Sequence, residues 1–337
     1  MTRHRDLWPQ VVAPETIELA YKRARRGKRW QRTVQRVELR KAAVLEDVRR
    51  SLVDKSFTTS EYRTKKVYEP KERTIYVLPF EPDRIVQHAV MVVVSPIWDR
   101  MFDGASHACR PGRGQHSASS KTMEYVRRCK YAFQGDIQKF YPSVHHDTLL
   151  GIVRQKIKDP GVLWLIDDIV RSFPGGRNVP IGNLTSQWLG NLYMNEFDVF
   201  VRQTLRPAGY VRYNDDFLLF GDDKQKLNAD RERARAFLMG RLKLTMSKDR
   251  VYPTKCGVDF VGYRHFPGYI LIRKSTARRV KKRLALLRHE IDTDQISFER
   301  ARSVVASTLG WLRWANAHNL QRSLGLDAIQ GEIIAAL

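Results

Sequence analysis

Asp136, Asp215 and Asp216 are the residues in this chain best placed to do chemistry. Each sits in an apolar, strand-like context. Asp136 follows Tyr131-Ala-Phe-Gln-Gly, and Asp215-Asp216 stands between Tyr213-Asn214 and Phe217. A carboxylate leaving a core strand costs desolvation unless something pairs with it. Several such acids brought together also repel one another. A pair of hard divalent cations resolves both costs, because magnesium prefers carboxylate, phosphate and water oxygens. Two ions a few ångströms apart activate an attacking hydroxyl and stabilise a leaving phosphate. Asp-Asp at a hairpin tip is by default a turn preference. The combination and order of the acids, in a strongly basic chain, point instead to phosphoryl transfer on nucleic acid.

The charge supports that direction. Lys plus Arg is 60 against 36 for Asp plus Glu, a net +24. An excess of this size is solvated or neutralised, and a phosphate backbone is the usual partner. No basic amphipathic helix stands alone as a membrane anchor. No apolar run is long enough to span a bilayer, and no apolar segment follows the charged N-terminus as in a secretory signal. The expected location is the cytoplasm. Cys109, Cys129 and Cys256 are not at metal-ligand spacing, and the histidines are scattered.

The elements that must position the acids alternate between strands and helices, which places the chain in the α+β class. Residues 1–60 read as basic helices, with Pro14 opening the first and Ile17, Leu19, Ala20 and Ala24 on its apolar side. A second helix is expected over residues 37–52. Strands are expected over 62–68 and 74–78, joined by Glu69-Pro-Lys-Glu-Arg73. A helix over 83–101 leads to a Gly/Arg/Ser-rich loop over 107–120. A strand over 131–137 delivers Asp136. Helices follow over 147–157, 162–173 and 184–205. Residues 210–221 read as a hairpin with Asn214-Asp215-Asp216 at its tip. After a helix over 224–242, a second hairpin is expected from 258–263 and 269–272, around Pro267-Gly268. The rest reads as helical.

At this point the chain resembles a family. Tyr213-Asn214-Asp215-Asp216 looks like the Tyr-x-Asp-Asp motif of reverse transcriptases. Asp136-Ile-Gln-Lys-Phe-Tyr141-Pro-Ser resembles their preceding metal-binding motif. Val179-Pro-Ile-Gly182-Asn-Leu-Thr-Ser186-Gln187 resembles the motif between them. Leu242-Lys-Leu-Thr-Met-Ser-Lys248 resembles the following motif, Phe260-Val-Gly-Tyr263 the primer-grip hairpin, and Arg73 with Asp83-Arg84-Ile-Val-Gln-His88 the fingers motifs. The order and spacing match over residues 62–272. The resemblance implies a right-hand polymerase fold: a helical N-terminal extension (1–60), fingers and palm with an antiparallel sheet (61–265), and a helical thumb (266–337). Ile181-Gly182 and Ser186-Gln187 depart from the common Gln-Gly and Ser-Pro forms. They look like the reverse transcriptases of diversity-generating retroelements, as do Leu271-Ile-Arg-Lys-Ser275 and Trp314-Ala-Asn-Ala-His-Asn-Leu320.

The resemblance implies roles. Asp136 and Asp215 would hold two Mg2+ ions (Mn2+ is an alternative), with the Ile137 carbonyl completing one site and Asp216 a neighbouring acid. Arg73 and Lys71 would hold the triphosphate, because a planar guanidinium binds two phosphate oxygens. Lys248 is the candidate proton donor to pyrophosphate. Tyr141 would be the aromatic gate under the sugar, although either it or Phe140 must face the core. Ile181 and Gly182 would meet the incoming nucleotide. Isoleucine only fills space there, which implies loose selection and misincorporation opposite template adenine. Gln187, Gly262, Tyr263, Arg273, Lys274, Arg278 and Lys282 would contact template and primer. The implied partners are template RNA, the RNA/cDNA duplex, deoxynucleoside triphosphates and a small basic helical accessory protein. The alternatives are a group II intron-like or defence-associated reverse transcriptase, and an inactive RNA-binding scaffold of the same fold.

Overall fold

The computed structural model describes residues 4–68, 72–326 and 331. The chain divides into two compact units. One draws on Met1–Pro111, Asp136–Arg206 and Glu232–Lys248, and the other on Gly112–Gly135, Pro207–Arg231 and Asp249–Leu337.

The first unit is mainly helical. Helix Pro14–Ala24 packs on helix Ile85–Met101, which also meets helix Leu184–Phe200. The contacts come from residues at helical spacing such as Val86, Ala89, Val90 and Val94, all fully buried. On Pro14–Ala24 the buried face is Ile17, Ala20, Tyr21 and Ala24, whereas Leu19 faces outward. The expected second helix is interrupted at Arg40 into Arg32–Leu39 and Lys41–Val53. Arg40 has φ −123° and ψ 25°, outside helical geometry. Strands β1 (Arg63–Val67) and β2 (Arg73–Val77) form an antiparallel hairpin, largely exposed. Asp159 caps helix Pro160–Arg171 through Val162 N and also accepts the backbone N–H groups of Leu7 and Trp8.

A four-stranded sheet carries the acids. Its strands are β3 (Tyr131–Ile137), β4 (Gly209–Tyr213), β5 (Asp216–Gly221) and β6 (Met246–Pro253), in the order β4-β5-β3-β6. The hairpin β4–β5 was expected; β6 was not. Met-Ser-Lys-Asp-Arg-Val-Tyr-Pro lacks apolar alternation, because β6 is a half-exposed edge strand.

The second unit differs from expectation in two further places. Helix Gln115–Arg128 occupies residues read in part as loop. Its serines suggested a turn, but Ala118, Thr122, Tyr125 and Val126 form a buried helical face, and the Ser117 hydroxyl accepts the Gly114 N–H at 2.9 Å. The expected second hairpin is a three-stranded sheet of β7 (Val258–Phe260), β8 (Tyr263–His265) and β9 (Ile270–Ile272). Val261 and Gly262, at φ 45° and 85°, turn the chain between β7 and β8. Helices Lys274–Asp292 and Phe298–Leu312 pack through Leu284, Leu287, Ala301 and Val305.

Candidate active site

The turn that presents Asp215 follows from strand register. Tyr213 pairs with Asp216, which leaves Asn214 and Asp215 as a two-residue connection. So tight a turn needs a left-handed residue, and Asn214 adopts φ 60°. Beneath it lies Arg212, fully buried, whose Nη1 donates to the Asn214 carbonyl at 2.9 Å. Sequence reasoning gave Arg212 no role, since a basic residue in a basic chain carries no distinguishing signal.

β3 supplies the other side. Gln134 and Asp136, two positions apart, leave the strand on one face. Gln134 Nε2 lies 3.4 Å from Asp216 Oδ1 and donates to the Asp259 carbonyl at 2.8 Å. The Tyr252 hydroxyl donates to Gln134 Oε1 at 3.1 Å, and burial raises that hydroxyl's pKa. Gln134 is a site residue that the sequence reading missed. Between Gln134 and Asp136, Gly135 has no room for a side chain. A Cβ there would lie 2.2 Å from Phe217 Cζ, and the Phe217 ring is itself fully buried.

Asp136 is only partly covered. Its Oδ1 accepts the Ser247 hydroxyl at 2.6 Å, and Lys248 Nζ stands 3.6 Å from Oδ2. Lys248 is therefore an ion-pair partner of Asp136 in this structure. Ser247, the residue before it, was quoted in a motif but given no role. Ile137 is buried. Among the described residues, no group of three or more His, Cys, Asp or Glu side chains forms a ready metal cage. The donor set is nevertheless the right kind for magnesium, which binds through one or two carboxylates and keeps water and phosphate for the rest.

The residues expected at the nucleotide fall in the first unit. Phe140 takes the core position and Tyr141 is half-buried, with rings 5.1 Å apart. Gly190 packs beneath both. Arg73 is exposed at the start of β2; Lys71 lies outside the described residues. The Ile181 carbonyl accepts the Tyr76 N–H at 2.8 Å. The close approach at Gly182 is to that strand: at φ 120°, a Cβ would stand 2.7 Å from the Tyr76 oxygen. Ser186 Oγ braces the loop by donating to the Pro180 carbonyl at 2.6 Å, and Gln187 is exposed.

Tyr263, expected to touch primer, is fully buried. Its ring stacks on Trp311 at 4.7 Å and its hydroxyl donates to the Trp311 carbonyl at 3.0 Å, so its role is to position. Gly262 is squeezed between Trp311 and Gln115. Arg273 forms an ion pair with Asp259. Lys274, Arg278 and Lys282 are exposed at i, i+4 and i+8 on one helix face. A hydrogen-bonded chain fastens β8: Trp314 Nε1 donates to Ser119 Oγ at 2.8 Å, and Ser119 Oγ lies 2.7 Å from His265 Nε2. His265 Nδ1, 3.1 Å from the Val258 carbonyl, must donate to it, so Nε2 is the acceptor. Burial holds His265 neutral, with its pKa down at about 4.

The sequence model of the family described as reverse transcriptase (RNA-dependent DNA polymerase) matches residues 64–265, more than half of the chain. The chain belongs to the reverse transcriptase family. Protein YkfC of Escherichia coli (strain K12) is 27% identical to it over 242 residues, 58% of this chain and 62% of that protein. Group II intron-encoded protein LtrA of Lactococcus lactis subsp. cremoris is 28% identical over 134 residues, 37% of this chain and 22% of that protein. Nuclear intron maturase 4, mitochondrial, of Arabidopsis thaliana is 26% identical over 212 residues, 60% of this chain and 26% of that protein. The reverse transcriptase chain thus spans less than two thirds of each relative's length.

Two outcomes follow for this reverse transcriptase. Gly135→Ala forces the β3 backbone away from Phe217 and costs about 1–3 kcal/mol, the usual price of overpacking; urea unfolding reads it, and a wild-type midpoint contradicts it. The pKa of His265 is lower folded than unfolded, so acid favours the unfolded chain. Wild type loses stability as pH falls from 6.5 towards about 4, and His265→Gln shows a smaller loss over that window in thermal melts. An equal loss in both proteins refutes the assignment.

Proposed function

We propose that this chain is an active RNA-directed DNA polymerase whose reaction centres on Asp136 and Asp215, with Asp216 as a supporting acid. The observation that supports it is the sheet order: β3, which carries Asp136, neighbours β5, which follows the Asn214-Asp215 turn. Hard oxygen donors at the end of a sheet suit Mg2+, with Mn2+ as a substitute. Bound ions there would activate the primer 3′-hydroxyl and neutralise charge on the triphosphate. The Ile137 carbonyl would add one further oxygen donor.

The chain's own residues do the positioning. Ser247 holds the Asp136 carboxylate in one orientation by donating to one oxygen. Lys248 Nζ, 3.6 Å from that carboxylate, balances its charge and would be the proton donor to the departing pyrophosphate. Arg73 and Lys71 take the triphosphate, Tyr141 lies under the sugar, and Ile181 and Gly182 meet the base pair. Lys274, Arg278 and Lys282 follow the duplex backbone without reading sequence. We assign residues 1–60 to an extension, 61–265 to fingers and palm, and 266–337 to a thumb, in a cytoplasmic protein.

The finer reading is the error-prone reverse transcriptase of a diversity-generating retroelement, copying a template-repeat RNA with a small basic accessory protein. It rests on Ile181-Gly182 and Ser186-Gln187. A group II intron-like enzyme is the second reading, favoured by the relatives named as intron-encoded protein and maturase.

Primer extension on an RNA template with magnesium tests the activity. Wild type extends the primer, and Asp215→Asn with Asp216→Asn cuts the rate by more than about a hundredfold. Product that survives the double substitution favours a scaffold role. Sequencing of the cDNA tests the finer reading: Ile181→Gln lowers misincorporation opposite adenine, and an unchanged error spectrum contradicts it.

A further inference from the structure

Gln134 is a polar residue where the strand around it is built to be apolar. Ala132 and Phe133, just before it on β3, are fully buried, and Gln134 itself is only 8% exposed. Burying a side-chain amide is costly unless its donors and its acceptor are matched. Here they are matched across the sheet. β3 lies between β5, which Asp216 opens, and β6, which carries Tyr252. Acid, amide and hydroxyl therefore form one hydrogen-bonded row over three neighbouring strands.

The row fixes which way the amide points. Gln134 Nε2 donates to the Asp259 carbonyl at 2.8 Å and to Asp216 Oδ1 at 3.4 Å, and Oε1 accepts the Tyr252 hydroxyl at 3.1 Å. Turned over, the amide oxygen would face a backbone carbonyl and a carboxylate, and neither can donate to it. The brace behind the amide is itself held. Asp259 sits on β7, paired with Arg264 of β8, and its carboxylate takes the Arg273 guanidinium at the start of helix Lys274–Asp292. The contact to Asp216 is the longest of the three, but it is the one made to a charge, which strengthens it.

We propose that Gln134 is a positioning residue for nucleotidyl transfer, holding one oxygen of Asp216 in a fixed direction while the Tyr252 hydroxyl and the Asp259 carbonyl keep the amide from turning. The proposal rests on the polymerase reading of the acids given above. An acid that swings between rotamers is in its productive geometry for only part of the time, and a fixed donor removes that loss. The competing role is purely structural: Gln134 would satisfy the Asp259 carbonyl and nothing more. Its loss would then act on stability and leave the rate of the folded protein alone.

Primer extension by the full chain, with kcat and KM for nucleotide measured separately, tests it beside urea unfolding. Gln134→Met keeps the side-chain length and removes the donors. It is expected to lower kcat about tenfold, the weight of one hydrogen bond to a charged group, with KM unchanged within about twofold. Tyr252→Phe only unlocks the amide and lowers kcat in the same direction by less. Thr254→Val is the stability control: its buried hydroxyl donates to the Cys129 carbonyl at 2.7 Å, and its loss lowers the urea midpoint without lowering kcat. In an Asp216→Ala background, Gln134→Met lowers kcat no further, because the group it acts through is gone. The same pair, read by urea unfolding without metal or nucleic acid, loses less stability together than the two single losses added, and this cycle decides should Asp216→Ala leave no measurable rate. Wild-type kcat in Gln134→Met, an equal loss with and without Asp216, or additive unfolding losses overturn the proposal. A wild type that extends no primer overturns the polymerase reading instead, and the role of Gln134 in the reaction falls with it.

Discussion

The hydrogen bond from Arg212 to the Asn214 carbonyl holds together much of what makes this chain a candidate enzyme. It ties a buried cation to a turn that is both tight and strained. Asn214 takes a left-handed conformation so that the two-residue connection can close, with Asp215 in the connection and Asp216 opening β5. The cost is repaid by the strands on either side, whose Val211, Leu218 and Phe220 are fully buried in one core cluster. The candidate acids are only partly covered, with this buried hairpin core behind Asp215 and Asp216.

The same logic runs through β3. Gly135 lets the Phe217 ring lie against the strand, and this closeness keeps Gln134 within reach of Asp216. In the second unit, aromatic residues near the expected primer-contacting hairpin are spent on anchoring. Tyr263 and His265 are buried with their polar atoms committed, and what remains exposed is a row of basic side chains on helix Lys274–Asp292. Buried aromatics set position, and exposed cations are left to meet phosphate.

Much of this was legible in the sequence because the informative residues have few alternatives. Asn-Asp-Asp between apolar runs fixes a hairpin and its register, and a long apolar stretch such as Ile85–Met101 reads as a buried helix without ambiguity. The failures share a cause. Helix Gln115–Arg128 is serine-rich at its start, and β6 is charged and half-exposed, so neither shows the hydrophobic period that betrays an element. Ser247 and Gln134 act through hydrogen bonds to residues distant in sequence, and such pairings leave no mark on local sequence. Tyr263 shows the opposite limit: a motif tells where it lies in order, not which way its ring turns.

We propose that Asp136 and Asp215 jointly hold the metal ions of a nucleotidyl transferase. Anomalous diffraction from crystals grown with Mn2+, an RNA template, a DNA primer and a non-hydrolysable deoxynucleoside triphosphate tests it most directly. Manganese peaks bridged by the carboxylates of Asp136 and Asp215, in contact with the triphosphate, are the expected result. Manganese bound to the triphosphate without either carboxylate would contradict it.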